Sequence, residues 1–241
     1  MINFMMIMNK NTDDLDYRIG LCNLFRTLKF EKRTSLMDKV LNDRTRFITV
    51  VLENIYQPHN ASAVLRSCDC FGIQDIHIIE NSYQYEFNPH VSLGAAQWLN
   101  LHRHNSLENN TASCISHLKK EGYRIIATTP RPEAVAIHDF DVTKGKFALI
   151  FGTEKFGLTD EACELADEFI RIPMYGFTES FNISVSASLC LFHFTERMRT
   201  EKVIWQLSQE EQLDILLQWF RNTTTNSELI ERKFQKDYFA R

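Results

Sequence analysis

Three short stretches place polar side chains at spacings that could do chemistry. Asn60 and Arg66 stand six residues apart in "PHNASAVLRSCDC" (58–70). Glu154 and Lys155 lie between Gly152 and Gly157 in "ALIFGTEKFGLTDEA" (148–162). Ser180 and Asn182 flank Phe181 in "IPMYGFTESFNISV" (172–185). The middle stretch has the order strand, Gly-x-x-x-x-Gly, helix that belongs to phosphate-binding loops. A phosphate loop also needs Lys and then Ser or Thr directly after its second glycine. Here Leu158 and Thr159 follow Gly157, Lys155 sits inside the loop, and Glu154 puts a negative charge where polyphosphate would lie. The dinucleotide fingerprint G-x-G-x-x-G is absent as well. What remains is a carboxylate, a guanidinium, amides and a hydroxyl, groups that can orient a polar substrate; of these the carboxylate can accept a proton.

The elements that must position these groups alternate in type. Residues 46–53, 75–80, 123–129, 146–152 and 169–173 are short runs rich in β-branched and aromatic residues and read as strands. Between them, 60–71, 106–122 and 159–167 read as helices. In the first, Asn60 stands as cap, Val64, Leu65, Cys68 and Phe71 form the buried stripe, and Arg66 points away with Ser62 and Asp69. A helix over 12–42 precedes the strands. A long helix follows residue 182, apolar on two faces: Ile183, Ala187, Cys190, Leu191, Phe194 and Met198 on one, Val185, Leu189 and Phe192 on the other. Residues 208–239 read as one or two charged helices. Alternating strands and helices predict an α/β fold with a mostly parallel sheet, whose binding sites gather beyond the C-terminal ends of the strands. The three polar stretches all fall there. The organisation expected is a helical extension over 1–45, a central domain over 46–200 and a second helical extension over 201–241.

Composition narrows the class. An apolar fraction of 44% and eighteen Phe suit a packed globular domain, and the net charge of −4 excludes a globally basic nucleic-acid binder. Charge is uneven, though. Residues 26–46 hold seven basic and three acidic side chains, a surplus of four, so the rest of the chain carries −8. Lys32, Arg33 and Arg44 in this segment are candidate RNA-phosphate contacts, the alternative being an ordinary solvated helix. The six Cys form no C-x-x-C pair and several lie on apolar helical faces, as expected of thiols in a reducing compartment. His102-x-His104 reads as a surface pair on a strand end, and no metal is expected. "MINFMMIM" at the start is too short for a signal segment, and no stretch reaches the length of a membrane span, so a cytoplasmic location is expected.

Taken together and in order, Asn60 to Arg66, then Gly152, Glu154 and Gly157, then Ile172-Pro173-Met174 and Ser180-Phe181-Asn182-Ile183-Ser184-Val185 resemble the three motifs of the SpoU/TrmH family of SPOUT RNA methyltransferases. The likeness covers about residues 46–200. Its helical flanks resemble in particular the TrmH-type tRNA guanosine 2′-O-methyltransferases. The resemblance implies a C-terminal deep trefoil knot, a departure from the rule that chains do not knot. It implies S-adenosylmethionine as cofactor, held largely by backbone groups at Thr128, Gly152, Ile172, Met174 and Phe181, where Phe181 replaces the more usual Leu. It implies transfer of a methyl group to a ribose 2′-hydroxyl, most simply guanosine-18 in the D-loop of tRNA, by a homodimer. Arg66 is the implied activating residue, with Asn60, Glu154, Ser180 and Asn182 around it. A guanidinium stays protonated, so Arg66 can position ribose and phosphate while Glu154 takes the proton. The alternatives are the same reaction on ribosomal RNA, or a non-catalytic RNA-binding protein on the same fold.

Overall fold

The computed structural model describes residues 14–82 and 94–240. Expectations for the apolar start of the chain lie outside the described residues. The chain divides into two compact units, Arg44–Gln206 and, from both ends of the sequence, Met1–Asp43 with Leu207–Arg241.

The larger unit is a parallel α/β sheet. Among the described residues it holds β1 (Ile48–Glu53), α3 (Pro58–Cys70), β2 (Asp75–Ile79), β3 (Asn100–His104), α4 (Thr111–Lys120), β4 (Arg124–Thr128), β5 (Val135–Ala136), β6 (Phe147–Phe151), α5 (Asp160–Leu165), β7 (Glu168–Arg171) and α6 (Ile183–Thr200). The strand order is β3-β2-β1-β6-β4-β7-β5, with every pairing parallel. Period-two alternation explains why the central strands are apolar throughout. Ile48, Val50 and Leu52 of β1 join Ile126, Leu149 and Phe151 in a core under α3 and α6. Val51 points the other way and joins Ile125, Ile150 and the α4 residues Cys114, Ile115 and Leu118. The chain lays β1, β2 and β3 in one direction and then β4 and β5 on the other side. The late strands β6 and β7 fill the slots between β1 and β4 and between β4 and β5. The loops after β4, β6 and β7 therefore sit side by side at one edge.

The smaller unit comprises α1 (Leu15–Thr27), α2 (Glu31–Asn42), α7 (Gln209–Thr223) and α8 (Ser227–Phe239). Leu21, Phe25, Leu216, Trp219 and Phe220 are buried here, and the rings of Phe25 and Phe220 stack 5.8 Å apart. Tyr17 packs among Phe234, Tyr238 and Phe239.

Three sequence expectations are corrected. The single helix over 12–42 is two helices, broken at Leu28–Phe30, where Phe30 is extended (φ −65°, ψ 139°). The helix expected from Asn60 starts at Pro58, with Gln57 as cap. Proline at a first helical position is favoured because its missing N–H would be unpaired anyway. The segment around 102–104 is a full strand rather than a strand end, and β5 is an addition to the expected strands.

Candidate active site

Because the helix begins two residues early, Asn60 sits in its first turn instead of capping it, and its side chain is buried. Its amide is spent on tertiary contacts. Nδ2 donates to Gln57 Oε1 at 2.9 Å and to Glu154 Oε1. Oδ1 accepts from Asn182 Nδ2 at 3.2 Å. One buried side chain thus joins all three polar stretches: α3, the loop after β6 and the start of α6. Asn182 also caps α6, accepting from Ser184 N at 2.9 Å and Ser184 Oγ at 2.6 Å. Glu154 is an exposed residue with one carboxylate oxygen fixed by Asn60.

The loop that carries Glu154 is closed on itself. Thr153 N donates to Gly157 O and Gly157 N to Thr153 O, both at 2.9 Å. Gly157 has φ +73°, a conformation open to glycine at little cost. Gly152 has a different reason to be glycine. A Cβ there would lie 2.1 Å from Gly157 O and 2.3 Å from Leu158 N. Its lack of a side chain lets the loop fold back over its own base, which the approach of a ligand alone would not have required. Downstream, α5 is tied to β1: buried Glu53 accepts from Thr159 N at 2.9 Å and Thr159 Oγ1 at 2.7 Å, and also from Thr111 Oγ1 at 2.7 Å.

Beside this loop lies a cavity of about 390 Å³. Its walls are the ends of β4, β6 and β7 and the first two turns of α6. Thr128, Gly152, Ile172, Met174 and Phe181, the five expected cofactor contacts, all line it, as do Glu154 and Ser180. The volume falls within the ~300–1,000 Å³ usual for cofactor sites. The Thr128 hydroxyl is committed to Ile150 O at 2.8 Å, so it holds β4 to β6 rather than offering a donor to the cavity. Several lining residues escape the sequence reading. Arg131 and Arg171 bring positive charge to one wall, and Cys163 and Cys190 bring thiols. Burial pushes the Cys190 thiol up to about 12, so it stays protonated and behaves as an apolar group. The rule that sites gather at strand ends points to 129–131, but no motif marks them.

Arg66 is not among the residues lining the cavity. Its side chain is exposed on α3, whereas Ser62, expected on the same face, is fully buried. The next residue, Ser67, meets Ser188 of α6 (Oγ–Oγ 2.8 Å), so Arg66 stands beside the junction of α3 with α6. Arg44 also departs from expectation. It is 1% exposed and donates to Ile73 O at 3.1 Å and to Asp69. A buried, paired guanidinium cannot double as a phosphate contact, so Arg44 is structural. Lys32 and Arg33 are exposed on α2.

Comparison with known proteins settles the family. Residues 47–192 match the model of the SpoU rRNA Methylase family. The chain belongs to that family. A tRNA (guanosine(18)-2′-O)-methyltransferase of Borreliella burgdorferi is 36% identical over 219 residues, covering 91% of this chain and 97% of the relative. The enzyme of the same name from Thermus thermophilus is 34% identical over 194 residues, or 79% of this chain and 97% of that one. Among solved structures, the TrmH/SpoU tRNA modifying enzyme of A. aeolicus superposes with a TM-score of 0.71 at 27% identity, over 81% of this chain and 98% of that one. The similarity to the Borreliella protein runs beyond the matched family domain, which ends at residue 192, into the terminal helices.

Proposed function

We propose that this chain is an S-adenosylmethionine-dependent tRNA ribose 2′-O-methyltransferase acting on guanosine-18. The observation that carries the reading is the Asn60 amide joining Glu154 to Asn182 at the mouth of a cofactor-sized cavity, in a chain of this family. Relatives named for guanosine-18 of tRNA align over almost their whole length, which favours tRNA over ribosomal RNA.

The cavity suits the cofactor. Ile172, Met174 and Phe181 provide an apolar wall for an adenine ring, while the loop backbones offer polar groups. When bound, S-adenosylmethionine supplies a methyl group on a sulfonium, open to in-line attack. The protein must then hold a ribose hydroxyl in line and take its proton. Glu154 is the group for the second task. Asn60 fixes Oε1, which leaves the other carboxylate oxygen for the hydroxyl. Ser180, on the cavity wall, and Asn182, at the start of α6, orient the third stretch. Arg66 binds ribose and phosphate as a planar fork.

Assembly completes the site. On α6, Val185, Leu189 and Phe192 are 44%, 40% and 58% exposed, an apolar stripe on the side away from the core. A two-fold homodimer through this stripe covers it and brings Arg66, beside the same junction, to the partner's cavity. The segment that follows β7, which leaves a slot between earlier strands, is read as the threaded part of a trefoil knot.

The test is methyl transfer to tRNA transcripts with labelled cofactor. Transfer should occur at guanosine-18, disappear when that ribose lacks its 2′-hydroxyl, and be absent on ribosomal RNA fragments. Labelling of ribosomal RNA but not tRNA would replace the substrate in this reading. Binding of S-adenosylhomocysteine without any transfer would favour a non-catalytic RNA-binding role.

A further inference from the structure

At the opposite end of the sheet from the cavity, the face of β2 and β3 turned toward α4 carries three imidazoles. His77 and His102 are register partners, and His104 lies one step beyond. The ring of His77 stacks on that of His102 (4.6 Å, 16°) and on that of His104 (5.3 Å, 23°), and lies 6.4 Å from that of His117 on α4. Four of the chain's eight histidines therefore meet in one place. His77 Nδ1 and His104 Nε2 are 3.0 Å apart, and the buried Cys114 thiol completes a triplet whose ligand atoms all lie within 4.8 Å of one another.

We infer that His77, His104 and Cys114 form a second site, for a thiophilic transition-metal ion of the Zn²⁺ class. A tetrahedral ion bound at ~2.0–2.1 Å by nitrogen and ~2.3 Å by sulfur separates its ligands by about 3.3–3.6 Å. Sub-ångström movement of the imidazole pair, and closure of the thiol by about 1 Å, would reach that spacing. The ion takes the place of the hydrogen bond between the two imidazoles: the ring that donates it moves that proton to its other nitrogen, so both rings bind as neutral ligands, and the thiol proton leaves to solvent as the metal–thiolate bond forms. Two imidazoles and a thiolate select Zn²⁺, Co²⁺ or copper over Mg²⁺ and Ca²⁺, which want oxygen ligands. His117, exposed and one helical turn from Cys114, can supply the fourth ligand and marks the entry path. His102 backs the site: its Nε2 donates to the buried Asp75 carboxylate at 2.9 Å while its ring packs on His77. A purely structural account has to bury His77 in a place where an apolar side chain would cost less. A bound ion gives the imidazoles and the thiol a joint use. Its role is to clamp β2 and β3 to α4. It is chemically separate from methyl transfer, since none of its residues lines the cavity.

The experiment is metal analysis and Co²⁺ spectroscopy on the full-length protein. After dialysis with Zn²⁺, the protein should retain one equivalent per chain and melt at higher temperature than the metal-free form. Substituted Co²⁺ should show a thiolate-to-cobalt charge-transfer band in the near ultraviolet. Cys114→Ser should abolish that band and weaken Zn²⁺ binding at least about tenfold. His104→Gln, at a more exposed position, should weaken binding similarly with the fold intact, so the proposal does not depend on a buried variant folding. A band that survives Cys114→Ser would place the ion at another thiol, such as the exposed Cys70, and overturn the assignment. Failure to retain metal, or equal retention by His104→Gln, would also overturn it.

Discussion

Asn60 shows how far a residue's role can be read without coordinates. The family resemblance, rather than its type and spacing alone, makes Asn60 a candidate site residue, and its expected place as a helix cap is wrong. Pro58 held the information, since proline at a first helical position moves the cap to Gln57. Once the helix starts there, the Asn60 amide points to two segments that lie 94 and 122 residues away in sequence. No local pattern encodes that meeting. The consequence can be tested. Asn60→Ala frees Glu154 and removes the partner of Asn182. Methyl transfer should fall by about 10²-fold or more, the scale on which a preorganised polar contact counts. Stability should drop by only about 1–2 kcal/mol, because Glu154 is exposed and regains water. Affinity for S-adenosylhomocysteine should change little, Asn60 not being in the cavity wall. If transfer by Asn60→Ala stays near normal, the amide is only a structural tie.

Among elements, α6 is legible in outline from its sequence and carries the most consequence. Its residues partition as the sequence suggests: Ile183, Ala187, Cys190, Leu191, Phe194 and Met198 are buried, and Val185, Leu189 and Phe192 are not. The exposed stripe leads to an expectation about assembly. Leu189→Glu, or Phe192→Glu, should convert a dimer to a monomer in light scattering and abolish methyl transfer. Cofactor binding should weaken far less, since neither residue lines the cavity. A wild-type monomer at micromolar concentration would remove the basis of the assembly reading. The same helix carries an acid-sensitive group. Burial, and then Arg197, hold the His193 imidazole below its usual range. The unfolded chain, with a pKa of about 6.5, then binds the proton more readily than the native one. Its contribution to stability is complete above that value and is lost as pH falls below it. Urea midpoints measured at pH 7.5 and 5.5 should therefore separate less for His193→Gln than for the parent. The short β5 and the polar-faced β3 are harder to read, because two residues carry no periodicity and β3 fills one face with imidazoles.

For the whole molecule, the sequence suggests a separate helical extension at each end and a basic surplus over residues 26–46, with Lys32, Arg33 and Arg44 as candidate phosphate contacts. The structure regroups both. Arg44 and Arg46 belong to the sheet unit and are tied to Asp69 and Asp75. On the helical unit Arg26 is paired with Asp38, while Lys32, Arg33 and Lys39 are exposed. Charge counting along a chain cannot see such partners. Reversing Lys32, Arg33 and Lys39 should weaken tRNA binding and flatten its salt dependence, by roughly one unit of slope for each phosphate that is no longer neutralised. Arg44→Met should instead leave that slope alone and cost about 3 kcal/mol of stability, by stranding part of a buried network. An unchanged slope in the triple reversal would mean that RNA binds elsewhere.

The shared origin of the helical unit gives the sharpest test of this organisation. Trp219 and Phe220 of α7 are buried in the same unit as Leu21 and Phe25 of α1. Arg18 of α1 also reaches Glu210 of α7 at 3.2 Å. Among the described residues neither end of the chain holds a complete core, so each needs the other to bury its aromatic rings. Removing residues 1–43 alone, or 207–241 alone, should leave the remaining helices with exposed apolar faces and give aggregated protein. Removing both should restore solubility, because Arg44–Gln206 keeps its sheet, both of its cores and the cavity. That fragment should still bind S-adenosylhomocysteine and should have lost most of its affinity for tRNA. If one single truncation proves as soluble and stable as the full chain, the two ends are independent extensions after all. In that case their contact is not what makes the unit fold.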